Sequence, residues 1–288
     1  MKDLNYQLKQ LCRRNREGSY NTQRDREHTL AHIADQLHGL RYQHLSANSL
    51  KAKHVDALVR LWTASGLGAG TMKNRMAVLR WWAEKVGLKH VVARSNDHYG
   101  IPNRQFVTNV SKAADLPAAK LARVEDEYVR MSLELQLAFG LRREEAIKFR
   151  PVYADRGDHI QLKDTWTKGG KARTVPVRTA EQRDVLDRAR RLAGNGSLIP
   201  DARRYIDQRR VYERHTANAG LSKMHGLRHA YAQARYRELT GWPAPAAGGP
   251  TARRMSDKQR AIDQRARLTI SVELGHEREQ ITSVYLGR

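Results

Sequence analysis

Apolar residues recur at helical spacing along almost the whole chain, and only one short stretch alternates as strands do. A mainly helical protein with one small β element is the fold such a pattern permits. Over residues 29–40 the apolar positions are Leu30, Ile33, Ala34, Leu37 and Leu40, the rhythm of a single helix face. A second helix is expected over 50–62, after which Gly66, Gly68 and Gly70 interrupt the pattern. A third, over 71–86, carries Met72, Met76, Leu79, Ala83 and Val86 on one face, with Lys73, Arg75 and Arg80 off it. That disposition is expected where one side packs and another meets phosphates. From about 90 to 116 the periodicity fades into turn chemistry at Asn96-Asp97, Tyr99-Gly100 and Ile101-Pro102. Further helices are expected over 121–139, 180–192, 202–218, 225–239 and 257–274. The β region is 159–162 and 172–177, joined by a turn containing Gly169-Gly170. The segment 241–250 is rich in Ala, Pro and Gly and reads as an exposed loop. The division that follows is a helical domain over 1–95, a linker over 96–115 and a mixed α+β domain over 116–288. A chain of 288 residues is long enough for two such cores.

The formal net charge is +23, which speaks to partners and not to fold. The commonest partner of so basic a chain is a polyphosphate, DNA or RNA. An anionic membrane surface is the rival. No segment is long or apolar enough to span a bilayer, and the N-terminus has no apolar run of the signal-peptide kind, so a cytoplasmic, nucleoid-associated protein is expected. Cys12 is the only cysteine, which excludes an intrachain disulfide and a Cys-rich zinc site. His28 and His32 stand four apart as a metal pair would, but no third ligand is evident nearby and the segment reads as an ordinary helix.

Five short segments carry the chemistry: Gly140-Leu141-Arg142-Arg143-Glu144-Glu145, Thr167-Lys168-Gly169-Gly170-Lys171, His225-Gly226-Leu227-Arg228-His229, Leu274-Gly275-His276, and Tyr285. Each alone is weak. An arginine on a basic surface is usually solvated, a single histidine is more often a cap or core residue, and Tyr285 is one of 11 tyrosines. In this order and spacing they resemble the phage-integrase family of tyrosine recombinases, in a branch similar to proteobacterial prophage integrases. The resemblance covers the second domain well and the first only loosely, as a helical DNA-clamping module of the core-binding, SAM-like kind.

The resemblance implies a site-specific DNA recombinase that integrates or excises a mobile element such as a prophage. Tyr285 would attack the scissile phosphate and form a 3′-phosphotyrosyl link, conserving the bond energy so that no ATP is needed. Arg142 and Arg228 would hold the non-bridging oxygens through planar donor forks that lysine does not reproduce. His225, three residues before Arg228, would face the same phosphate, and His276 would donate a hydrogen bond to it. Lys168, beside the β turn, would protonate the departing 5′ oxygen; Lys171 in the same turn is the alternative. Glu145 and His229 read as structural. No cofactor and no metal are expected. The partners implied are double-stranded attachment-site DNA, further copies of the chain in a homotetramer on DNA, and accessory DNA-bending proteins. The rivals are a non-catalytic DNA-binding protein on the same scaffold, a resolvase of chromosome or plasmid dimers, and a relaxing type IB topoisomerase. Two departures from the family pattern stand out. The stretch 241–264 is longer than compact members need and contains Arg253, Arg254, Lys258 and Arg260, and only three residues follow Tyr285.

Overall fold

The structure, a computed structural model, describes residues 3–167, 169–276 and 278–288. It divides into two compact units, Met1–Gln105 and Phe106–Arg288. Each has its own apolar core, and the architecture is mainly helical with one two-stranded sheet.

In the first unit the helices are α1 (Asp3–Arg14), α2 (Tyr20–Gly39), α3 (Ala52–Ala64) and α4 (Ala69–Lys85). Leu4, Leu8 and Cys12 bring α1 into a core with Leu30, Ile33 and Leu37 of α2, Leu58 and Trp62 of α3, and Met76, Leu79 and Trp82 of α4. The two buried indoles are satisfied: Trp62 donates to Gln36 Oε1 at 2.9 Å and Trp82 to the Ala47 carbonyl at 2.8 Å. Helix α2 starts well before its apolar pattern because Ser19 caps it, its hydroxyl accepting from the Thr22 amide at 3.3 Å. The glycine interruption is shorter than expected, since Gly68 is the N-cap of α4 and Gly70 lies in its first turn. The expectation that Arg80 faces phosphates is corrected. Arg80 donates to the Ala93 carbonyl at 2.9 Å and to Asn96 Oδ1 at 2.8 Å, and Arg75 lies 5.3 Å from the Trp62 ring centre. The Arg80 guanidinium serves the fold.

The second unit contains α5 (Ala118–Ala122), α6 (Glu127–Phe139), α7 (Arg143–Ile147), α8 (Pro151–Ala154), β1 (His159–Leu162), β2 (Arg173–Pro176), α9 (Ala180–Ala193), α10 (Tyr205–Asn218), α11 (Gly226–Thr240), α12 (Asp257–Glu273) and α13 (Glu279–Leu286). The single helix expected over 121–139 is two helices, because Asp126 caps α6. Its carboxylate accepts from the Val129 amide at 2.9 Å and is held by Arg203 at 2.7 Å. The strands pair antiparallel with His159 opposite Pro176 and Leu162 opposite Arg173. Ile160, Leu162 and Val175 point inward onto Leu135, Phe139 and Leu141, with Leu186 of α9, Tyr231 and Tyr236 of α11, Ile270 of α12 and Leu286 of α13 completing the core. Arg173 shares the inward face of β2 with Val175, two residues on.

Part of the long stretch before α12 is not a free loop. A Cβ on Gly287 would fall 2.7 Å from the Ala246 amide nitrogen, so that segment packs directly on the end of α13. Arg267 fixes the same end by donating to the Gly287 carbonyl at 2.9 Å. Arg253 and Arg254 stay exposed. Among the described residues no helix is long and apolar enough to cross a membrane.

Candidate active site

Gly140 ends α6 in the left-handed region, with φ +61°, and the chain reverses so that Arg142 becomes the N-cap of α7. Glu145 on the first turn of α7 reaches back to it twice. One carboxylate oxygen accepts from the Arg142 amide at 2.7 Å and the other from Arg142 Nη1 at 2.7 Å. From the far side Arg173 grips the same carboxylate with both terminal nitrogens, at 2.8 and 2.6 Å. Burial alone would raise the pKa of Glu145. The Arg173 hydrogen bonds and charge outweigh it, with Arg228 and Arg142 adding, and the carboxyl is lowered to about 2. It is a carboxylate at neutral pH, and it holds Arg142 with that side chain still about a quarter exposed, at 23%.

Arg228 is fully buried on the first turn of α11. Its Nη1 donates to the Gly140 carbonyl and its Nη2 to the Leu274 carbonyl. These are terminal carbonyls of α6 and α12, left without helical partners and lying at the negative ends of two helix dipoles. A buried guanidinium is thereby solvated mainly by backbone. Burial, with Arg142 beside it, lowers its pKa to about 10, so it remains charged at neutral pH. Among the described residues its Nε has no hydrogen-bond partner, and a Glu145 carboxylate oxygen is 4.0 Å from its Nη1.

Tyr285 on α13 is 6% exposed and sits among three imidazoles. Its hydroxyl is 3.1 Å from His225 Nε2. Its ring stacks on His276 with centroids 5.2 Å apart, approaches His229 to 4.4 Å, and lies 5.7 Å from the Arg228 guanidinium carbon. His276 is 3.4 Å from Arg228 through Nε2 and 3.1 Å from the Thr282 hydroxyl through Nδ1. Burial, reinforced by Arg228 and Arg142, lowers His276 to about 3. Burial and the neighbouring His225 lower His229 to about 4. His225 keeps an outer edge open to solvent, yet lost hydration and the charges of Arg228 and Arg142 lower it as well. All three rings are neutral near pH 7. The Tyr285 carbonyl accepts from Gln233 of α11 at 3.0 Å, and Gln233 in turn accepts from Ser111 at 3.0 Å.

Five of the six residues singled out in the sequence, Arg142, His225, Arg228, His276 and Tyr285, come together at this one place. The sixth, Lys168, lies outside the described residues. Its neighbours form the turn between β1 and β2, where the Thr167 hydroxyl donates to the Lys171 carbonyl at 2.7 Å. The sequence reading missed Arg173, and its inward register on β2 was the only signal available. His229, read as structural, packs against the Tyr285 ring. Among the described residues no group of three or more His, Cys, Asp or Glu side chains is arranged to hold a metal ion.

The model of the family described as Phage integrase, N-terminal, matches residues 1–92, and that described as Integrase matches residues 104–234. No curated protein sequence matches the chain. Among solved structures, a lambda integrase dimer bound to a COC′ core site aligns with a TM-score of 0.62 at 14% identity, covering 99% of this chain and 77% of that one. The XerH site-specific recombinase bound to a palindromic difH substrate aligns with a TM-score of 0.61 at 16% identity, over 99% and 81%. The Tn1549 transposon integrase in complex with circular intermediate DNA gives 0.57 at 15% identity, over 98% and 95%. These likenesses establish a shared fold. The two family matches, which follow each other along most of the sequence, identify the chain as a site-specific recombinase of the phage integrase family, the tyrosine recombinases.

Proposed function

We propose that the protein cleaves and rejoins double-stranded DNA through a 3′-phosphotyrosyl intermediate on Tyr285, integrating or excising a mobile element. The observation that carries this reading is the Tyr285 hydroxyl, 3.1 Å from a neutral His225 and beside the fully buried Arg228. The Tyr285 oxygen attacks phosphorus, the bond to the 5′ oxygen breaks, and His225 accepts the tyrosine proton. Arg142 and Arg228 stabilise the charge that builds on the non-bridging oxygens, and His276 donates a hydrogen bond to one of them. Lys168, within the sequence motif Thr167-Lys168-Gly169-Gly170-Lys171, protonates the departing 5′ oxygen. Two fixed guanidinium charges do the work a metal ion would do, so the chemical step needs neither metal nor cofactor. Because Arg228 lies fully buried against the Tyr285 ring, α13 has to shift on DNA binding before a phosphate reaches it.

In this reading residues 1–95 and 116–288 clamp the duplex from a linker over 96–115, and the protein works in the bacterial cytoplasm. Four copies assemble on DNA, as in the lambda integrase tetramer bound to a Holliday junction, with DNA-bending proteins aiding synapsis. The test is to trap the covalent complex on a suicide substrate whose cleaved fragment diffuses away. An adduct that survives denaturation in the wild type and is missing in Tyr285→Phe supports the reading; equal adduct in both overturns it.

A further inference from the structure

Three guanidinium groups surround the buried Glu145 carboxylate, and the phosphate chemistry uses only two of them. Arg173 is itself buried, with a side chain 6% exposed. It fills one acceptor site on each oxygen of Glu145, at 2.8 and 2.6 Å, while Arg142 fills the other two, at 2.7 Å each. A carboxylate offers about four such sites, so Glu145 is saturated and has none left for Arg228, whose Nη1 stands 4.0 Å away. The cluster of Arg142, Arg173, Arg228 and Glu145 carries two positive charges in excess. Without Arg173 the excess falls to one, and two lone pairs open next to the donors that Arg142 and Arg228 would offer a phosphate.

We propose that Arg173 is a positioning residue that saturates Glu145, so that Arg142 and Arg228 keep their remaining donors and their charge for the scissile phosphate. The same side chain reaches the His276 segment. Arg173 Nε donates to the Glu273 carbonyl at 3.0 Å, and a Cβ on Gly275 would fall 2.7 Å from Arg173 Cδ. One residue of β2 thus links that strand, the start of α7 and the turn that presents His276. The inference rests on the proposed reading that Arg142 and Arg228 bind the scissile phosphate.

The test compares wild type, Arg173→Met, Glu145→Gln and the double variant, measuring separately the Kd for a core-site duplex and the single-turnover rate of covalent trapping. Arg173→Met is expected to keep its Kd and to lose about 10²-fold in trapping rate, the usual scale for displaced catalytic groups. Glu145→Gln alone is also slower, because it strips the buried Arg173 of its counter-charge. The double variant removes both charges and is expected to regain about tenfold over Arg173→Met, since the carboxylate that competes for the Arg142 and Arg228 donors is gone. A purely structural pair would lower DNA affinity and thermal stability in step with the trapping rate, and the double variant would restore all three together. That result, or a loss confined to Kd, overturns the inference. If the methionine variant does not fold, Arg173→Lys carries the comparison: slower trapping at unchanged Kd supports the proposal and a wild-type rate overturns it. A wild type that forms no adduct at all refutes the reading of the site, and the inference falls with it; a Tyr285-dependent adduct without the rescue refutes the inference alone.

Discussion

Gly140→Ala couples the fold to the site and has a cost that can be worked out in two parts. Gly140 has φ +61° and ψ 28°, a left-handed conformation that costs an L-residue about 1–2 kcal/mol. The new methyl group would also lie 2.6 Å from Tyr231 Cδ1 and 3.2 Å from a Leu274 methyl. Tyr231 has little room to yield, being 5% exposed and anchored by its hydroxyl to Glu273 at 2.7 Å. Overpacking of this kind costs about 1–3 kcal/mol, so the second unit should lose about 2–5 kcal/mol in all. Gly100 is an internal control. It has nearly the same conformation, φ 62° and ψ 19°, with nothing within 4 Å of an added Cβ. Gly100→Ala should therefore show the strain alone. Native-state hydrogen exchange at the amides of α6 and α11, compared with those of α3 and α4, reads the two units separately in the full chain. Equal losses for the two substitutions would refute the reasoning, because the contact with Tyr231 would then cost nothing. Gly140 also supplies a carbonyl to Arg228, so trapping by Gly140→Ala should fall by more than DNA affinity does.

Arg142→Lys keeps the charge and loses the planar fork, so trapping should drop by about 10²–10³-fold with little change in Kd; a loss seen only in Kd would move Arg142 from chemistry to binding. Replacing the bridging 5′ oxygen by sulfur gives a leaving group that needs no proton, so it should restore Lys168→Ala, which otherwise loses about 10²–10⁴-fold, and leave Arg142→Ala slow. Rescue of Lys171→Ala with Lys168→Ala still slow would show that the other lysine is the acid. His229, lowered by burial from 6.5 to about 4, binds a proton less readily folded than unfolded. The His229 share of stability should therefore fall by about 3 kcal/mol as pH drops through that window, on top of a loss from His276, also lowered by burial, while the contribution of Glu145, whose pKa is lowered, is lost only at still lower pH. His229→Gln should flatten that part of the pH–stability curve, and an unchanged slope would contradict the assignment.

How much of this was legible in the sequence depends on the range of each interaction. The residues proposed for chemistry could be read because strand transfer demands their types and the motifs fix their order. His225 and Arg228 stand three apart at the start of one helix, and Tyr285 follows His276 by nine positions. Glu145 could be read only in part. Its capping of the Arg142 amide is local, but its second partner, Arg173, lies 28 positions on and meets it only because β1 and β2 pair in one particular register. Burial of Arg228 on terminal carbonyls of α6 and α12 was equally hidden, since backbone acceptors have no sequence signature. The surface reading of Arg80 failed for a related reason: a helical wheel shows which residues leave the packed face, not whether a later turn such as 93–96 folds back to take one of them. Helix α6 begins just after Asp126 because that carboxylate caps it, a local signal that a continuous apolar pattern over 121–139 obscured.

The most direct test of the central claim is to digest the trapped protein–DNA adduct and locate the modified residue by mass spectrometry. The account predicts one modified peptide, carrying a nucleotide 3′-phosphate on the Tyr285 oxygen, formed at the same rate with and without a chelator. A phosphodiester on any other residue, or cleavage with no covalent protein at all, would contradict it.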